Sequence, residues 1–74
     1  MMIEVELFGG LAPHQPRKQQ LESAGPVTAG EIAARLGLEP TLTDLIFING
    51  VQSAAEDRVP PGARVCFFPY LSGG

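Results

Sequence analysis

Apolar and polar residues alternate over residues 2–8: Ile3, Val5 and Leu7 fall on one side of an extended chain, Glu4 and Glu6 on the other. A period of two predicts a strand with one buried face. Phe8 lands on the acidic, outer side, and Gly9-Gly10 ends the run. Pro13, His14 and Pro16 make residues 11–17 a loop rather than a tight turn. Residues 18–23 have Leu21 as their only strongly apolar member, which suits a polar edge strand returning beside the first. Ala24-Gly25-Pro26 then turns the chain.

The period changes at Val27. Thr28 followed by Glu31 is a capping box, and Val27 and Ile32 are spaced as a hydrophobic staple. The helix is expected to run to about Leu36, with Gly37 in the left-handed position after it and Ile32 and Leu36 on one buried stripe. Residues 38–44 are expected to be a connecting loop. Leu45-Ile46-Phe47-Ile48 reads as a strand ending in Asn49-Gly50, a strong hairpin signal. The polar residues 52–58 are expected to be irregular, with at most a short strand. Val59-Pro60-Pro61-Gly62-Ala63 is a rigid turn into a last apolar strand, Val65-Cys66-Phe67-Phe68.

These elements predict an α+β domain: a small mixed sheet of four to five strands covered by one main helix, with the first and last strands in the middle. That is the β-grasp, ubiquitin-like arrangement. With 74 residues and no internal repeat or linker, residues 1–74 are read as one domain with a flexible C-terminal tail over residues 70–74. A core this small supplies about 3–5 kcal/mol.

Charge and composition narrow the function. A net charge of −3 with only five Lys+Arg gives no basic stripe for nucleic acid. No apolar run approaches the ~20 residues that span a bilayer, and residues 1–4 lack signal-peptide character. A cytoplasmic protein is expected. Cys66 is the only cysteine, so it forms no internal disulfide or multi-cysteine metal site; it reads as a small passive hydrophobe. His14, the only histidine, has no partner at ligand spacing and reads as a solvated loop residue. Arg58 and Arg64 read as solvated too.

Face assignment within the strands sets Ile46, Ile48, Val65 and Phe67 toward the helix. Phe47, Cys66 and Phe68 then face outward, and Phe8 joins them. Gathered aromatics are favoured interface anchors. A register shift of one residue would bury them instead. Beyond Phe68 the chain continues Pro69-Tyr70-Leu71-Ser72-Gly73-Gly74. Two glycines make a narrow tail able to enter a channel that admits only backbone. From Leu71 onward it can extend roughly 13 Å.

The element order, Asn49-Gly50, Phe67-Phe68-Pro69 and the final Gly73-Gly74 together resemble the ubiquitin-like sulfur carriers. These are the small subunit of molybdopterin synthase and the thiamine-pathway carrier (MoaD/ThiS-like). The resemblance spans essentially the whole chain. It departs where Gly62-Ala63 replaces the frequent Gly-Asp, and where Tyr70-Leu71-Ser72 follows Pro69 instead of a second proline or alanine.

The resemblance implies that Gly74, with Gly73, is the reactive site. A ubiquitin-activating-like adenylyltransferase would adenylate Gly74 with ATP, and a sulfur donor would convert it to a thiocarboxylate. A second enzyme, such as the large subunit of molybdopterin synthase, would take the sulfur. The chain would bind no cofactor itself. It would be a carrier and substrate, or the non-catalytic small subunit of a sulfurtransferase complex, rather than an enzyme. Phe8, Phe47, Phe68, Pro69, Tyr70, Leu71 and Ser72 would meet the partners. Phe67-Phe68-Pro69 favours molybdopterin service over thiamine or amino-acid pathways. Two other readings stay open: a protein modifier forming an amide through Gly74, and a plain interaction module with an idle tail.

Overall fold

The computed structural model describes residues 1–38 and 45–69. In chain order the elements are β1 (Met2–Leu7), β2 (Lys18–Glu22), β3 (Val27–Thr28), α1 (Ala29–Arg35), β4 (Leu45–Ile48), β5 (Val51–Ser53), β6 (Arg58–Val59) and β7 (Arg64–Phe68). Five strands form one sheet, ordered β2-β1-β7-β4-β5. The first and last strands lie centrally and run parallel, with Val5 opposite Val65 and Leu7 opposite Phe67. The remaining pairs in this sheet are antiparallel. A mixed sheet in this order, covered on one face by α1, is the β-grasp fold.

Alternation decides which face is buried. Ile3, Val5, Leu7, Ile46, Ile48, Val65 and Phe67 line the inner face and pack in one core with Ala29 and Ile32 of α1. Burying each large side chain in that row stabilises the fold by roughly 1.5–3 kcal/mol. Leu36 is only partly buried, and Leu38 closes the core below it. Leu21 packs against the same cluster from the edge strand β2.

A helix of seven residues is marginal alone, so its ends matter. The Glu31 N–H donates to Thr28 Oγ1 at 3.1 Å, and the Thr28 N–H donates to the Glu31 carboxylate at 2.9 Å. At the other end the Gly37 N–H donates to the Ala34 carbonyl and the Leu38 N–H to that of Ala33, a Schellman ending. Thr28→Ala is expected to cost about 1 kcal/mol. It should lower the urea midpoint without changing the slope; an unchanged midpoint would show that the box contributes nothing.

Residues 52–58 are more ordered than their polarity suggests. Asn49 and Gly50 take φ values of 51° and 80°, the pattern of a type I′ turn, and fold β5 back as an edge strand. Beyond it, Asp57 donates its N–H to the Ala54 carbonyl and accepts the Ala54 N–H on its carboxylate. The carbonyls of Asp57 and Ala55 then accept the N–H groups of Ala29 and Gly30 at 3.0 and 2.8 Å. These are helix donors that lack partners inside the helix. Next, β6 pairs with β3 in a separate two-stranded sheet. Backbone groups create this order, so side-chain polarity conceals it. Of the connection expected over residues 38–44, Leu38 is buried and the rest lies outside the described residues.

Candidate functional site

Cross-strand pairing sets the outer face. Glu4 stands beside Arg64, Glu6 beside Cys66, Cys66 beside Phe47, and Leu45 beside Phe68. The register expected from the alternation is therefore the one observed, and the alternative that would bury the aromatics is excluded. The rings gather toward the end of the sheet where β7 finishes. Phe8 stacks on Phe68 with centroids 4.4 Å apart and planes 6° from parallel. Phe47 meets Phe68 edge-on at 5.5 Å and 80°. Such pairs add roughly 0.5–1.5 kcal/mol each beyond their area. Because they cover one another, the three rings are half-buried rather than fully exposed. Among the described residues the large apolar side chains standing most open are Met2 and Val51, both outside this cluster of rings.

Charge frames this platform. The Arg17 guanidinium lies over the Phe8 ring, 4.8 Å from its centroid, and its Nη2 is 3.2 Å from Glu6 Oε2. Glu6 is buried although its position in the alternation is the solvent side. Arg17 is what makes that burial tolerable, by pairing with the carboxylate. The Glu4–Arg64 pair is longer, at 3.8 Å, and exposed, so it contributes little. Alongside, Glu4, Glu6, Lys18, Gln20 and Arg64 line a shallow trough of about 240 Å³.

Burial pushes the Cys66 thiol above its ordinary value; the Glu6 carboxylate adds to the rise and Arg64 opposes it. The fold thus prefers the neutral thiol. The stability this contributes is present below the ordinary thiol range and is lost as pH rises through the raised value. Cys66 is expected to react with iodoacetamide more slowly than an unstructured cysteine peptide at about pH 8, the two rates converging as pH climbs. A rate at or above the peptide's would contradict the assignment.

Gly9 and Pro69 meet at the same end of the sheet. The Phe8 N–H donates to the Phe67 carbonyl at 3.0 Å, carrying the central parallel ladder one bond past β1. Gly9 follows with φ 63°, so close to Pro69 that a methyl group there would overlap the ring, with Pro69 Cδ only 2.8 Å away. Pro69 itself is half-buried.

Of the expected site residues, the structure brings together Phe8, Phe47 and Phe68, with Pro69 adjacent through Gly9. Tyr70, Leu71, Ser72, Gly73 and Gly74 lie outside the described residues. His14 is exposed in its loop and Arg58 is exposed on β6. Among the described residues no group of three or more His, Cys, Asp or Glu could hold a metal ion. None of the described helices is long and apolar enough to cross a membrane.

Sequence reasoning missed Arg17 and Gly9. Both are recoverable from register. Glu6 pairs with Lys18 across the first hairpin, so Arg17 arrives level with the end of β1. Parallel pairing of β1 with β7 likewise brings the residues that follow each strand side by side.

The crystal structure of SAMP1 from Haloferax volcanii is similar to this chain over the full length of both, with a TM-score of 0.75 and 23% sequence identity. At that identity the likeness establishes a shared fold. No family model matches the sequence, and no curated protein is detectably similar to it.

Proposed function

We propose that this chain is a ubiquitin-like sulfur carrier whose reactive group is the Gly74 carboxylate. The observation that carries the reading is the Gly73-Gly74 pair, placed a few residues beyond a central strand whose exit is packed by aromatic rings and a glycine turn. The platform of Phe8, Phe47 and Phe68 supports a docking role beside the point where the tail begins.

The chemistry follows from the carboxylate. α-Carboxyl groups ordinarily titrate at about 3.5, so a chain-terminal carboxylate is an anion at neutral pH and resists nucleophiles. A partner adenylyltransferase would bring ATP. A Gly74 carboxylate oxygen attacks the α-phosphorus, a new O–P bond forms, and pyrophosphate leaves. Hydrosulfide then adds to the acyl carbon; the C–O bond to AMP breaks, AMP leaves with the electron pair, and the thiocarboxylate loses its proton. No oxidant or reductant is consumed. A second enzyme would accept the sulfur at its substrate, the C–S bond breaking as water supplies the oxygen that returns Gly74 to a carboxylate. The chain supplies position and recognition, and its partners supply catalysis. Phe67-Phe68-Pro69 favours molybdopterin synthesis as the destination, with the large synthase subunit as acceptor.

The test is pyrophosphate exchange into ATP by the adenylyltransferase from the same organism, with and without this protein. Exchange that depends on the protein is expected, and its absence would sink the reading. Blotting the protein in cell lysate separates the carrier from a modifier. Free protein alone fits a carrier, whereas a ladder of larger covalent species shows Gly74 forming amides with targets.

A further inference from the structure

We infer that Gly9 is a positioning residue for the tail reaction: its bare backbone seats the Pro69 ring and so fixes the backbone of Pro69, the root from which the tail is presented. The inference rests on the carrier reading above and adds a residue to it.

Three observations converge on this corner. Gly9 lies beyond the end of β1, where the Phe8 N–H is still bonded to the Phe67 carbonyl, so its place relative to the last strand is fixed by the sheet. The Phe8 ring, stacked on Phe68, holds the residue before Pro69. The space a side chain at residue 9 would need is filled by Pro69, whose Cγ and Cδ would both overlap the missing methyl, whereas Cβ, at 3.7 Å, would make only an ordinary contact. Proline's φ is fixed by its ring, so it cannot swing aside without taking the backbone with it. Any side chain at residue 9 therefore redirects the chain at the root of the tail. Reaction at a partner's active site requires reacting atoms held about 3–3.5 Å apart, and a misplacement of about 1 Å can cost a hundredfold.

Gly10 provides the internal control. It has the same left-handed backbone, φ 73° against 63°, but no described residue lies within 4 Å of where its Cβ would be. Gly9→Ala and Gly10→Ala thus share the backbone strain and differ in the contact with Pro69.

The experiment measures ATP–pyrophosphate exchange at saturating carrier and the carrier concentration giving half-maximal rate. It uses the wild type, Gly9→Ala, Gly10→Ala, Pro69→Ala and Gly9→Ala/Pro69→Ala, in the full chain. Gly9→Ala is expected to lower the maximal rate roughly tenfold to a hundredfold with little change in the half-maximal concentration, because the aromatic platform still docks. Gly10→Ala should keep the wild-type rate. Adding Gly9→Ala to Pro69→Ala should lower the maximal rate no further, since alanine lacks Cγ and Cδ and only the backbone strain shared with Gly10→Ala remains. In the isolated protein, the Pro69 ring resonances should move in Gly9→Ala and stay in place in Gly10→Ala.

If Gly9→Ala behaves like Gly10→Ala, or loses as much in the Pro69→Ala background, the inference is overturned while the carrier reading stands. Should Gly9→Ala fail to fold, restoration of folding by Pro69→Ala supports the contact, and failure to restore it refutes it. An inactive wild type overturns the carrier reading and, with it, the role assigned to Gly9.

Discussion

Ending the chain at Ser72 should reduce adenylation to the background of the activating enzyme alone and leave the unfolding midpoint where it was. The two halves of that expectation have separate causes. On the proposed carrier reading the reacting carbon belongs to Gly74, so a chain lacking Gly73 and Gly74 presents a carboxylate roughly 7 Å short of its place, at about 3.3 Å per residue. It also presents a serine side chain where a backbone-only passage expects none. An in-line attack does not tolerate a fraction of that displacement. Among the described residues, by contrast, the core runs to Phe67 and the aromatic platform to Phe68. Exchange kinetics and a urea titration on the same sample read both halves. Retained exchange would transfer the reactive role away from Gly74. A lowered midpoint would mean that the glycines stabilise the fold, a role no described contact gives them.

The largest effect on stability is expected in the last strand, at Phe67. Phe67→Ala should leave the chain largely unfolded at room temperature. Phe67 is fully buried in the central strand β7, opposite Leu7 of β1 and Ile46 of β4. Truncating such a ring costs about 3–5 kcal/mol, the same size as the whole stability expected from a core of this size. Phe68→Ala, its neighbour on the other face, should instead remain folded. That ring is half-buried and packs on Phe8 and Phe47 rather than on the helix. Its loss should weaken docking to the activating enzyme. Far-ultraviolet circular dichroism of the two variants decides the matter. A folded Phe67→Ala with an unfolded Phe68→Ala would invert the assignment of the faces.

The legible parts of this fold are those where one physical cause acts alone. Alternation in β1 has a single explanation, and it placed Ile3, Val5 and Leu7 in the core directly. Thr28 and Glu31 are close in sequence, so their reciprocal hydrogen bonds could be read without knowing the fold. Asn49-Gly50 signalled its turn for the same local reason. It also does something that no local rule announces: its Oδ1 accepts the Arg64 N–H and its own N–H donates to the Arg64 carbonyl, tying the turn to the start of β7. The segment from Ala54 to Val59 was opaque because its order comes from carbonyls that receive the helix's first N–H groups.

The candidate site divides in the same way. Phe8, Phe47 and Phe68 could be placed together from period and strand order. Arg17 was harder to see: its partners are a ring and a carboxylate more than eight residues earlier in the chain, across a loop, and only the register of the first hairpin brings it level with them. Gly9 looked like punctuation. Its significance depends on Pro69, sixty residues later, arriving at the same corner through the parallel pairing of the two central strands.

The central claim is that Gly74 carries sulfur. Intact-mass spectrometry of the full chain after incubation with its adenylyltransferase, ATP and hydrosulfide tests it most directly. A mass gain equal to one sulfur replacing one oxygen, located to Gly74 by fragmentation and absent when ATP is omitted, is the predicted result. An unchanged mass at Gly74, from a preparation in which the enzyme demonstrably turns over this protein with ATP, would contradict it.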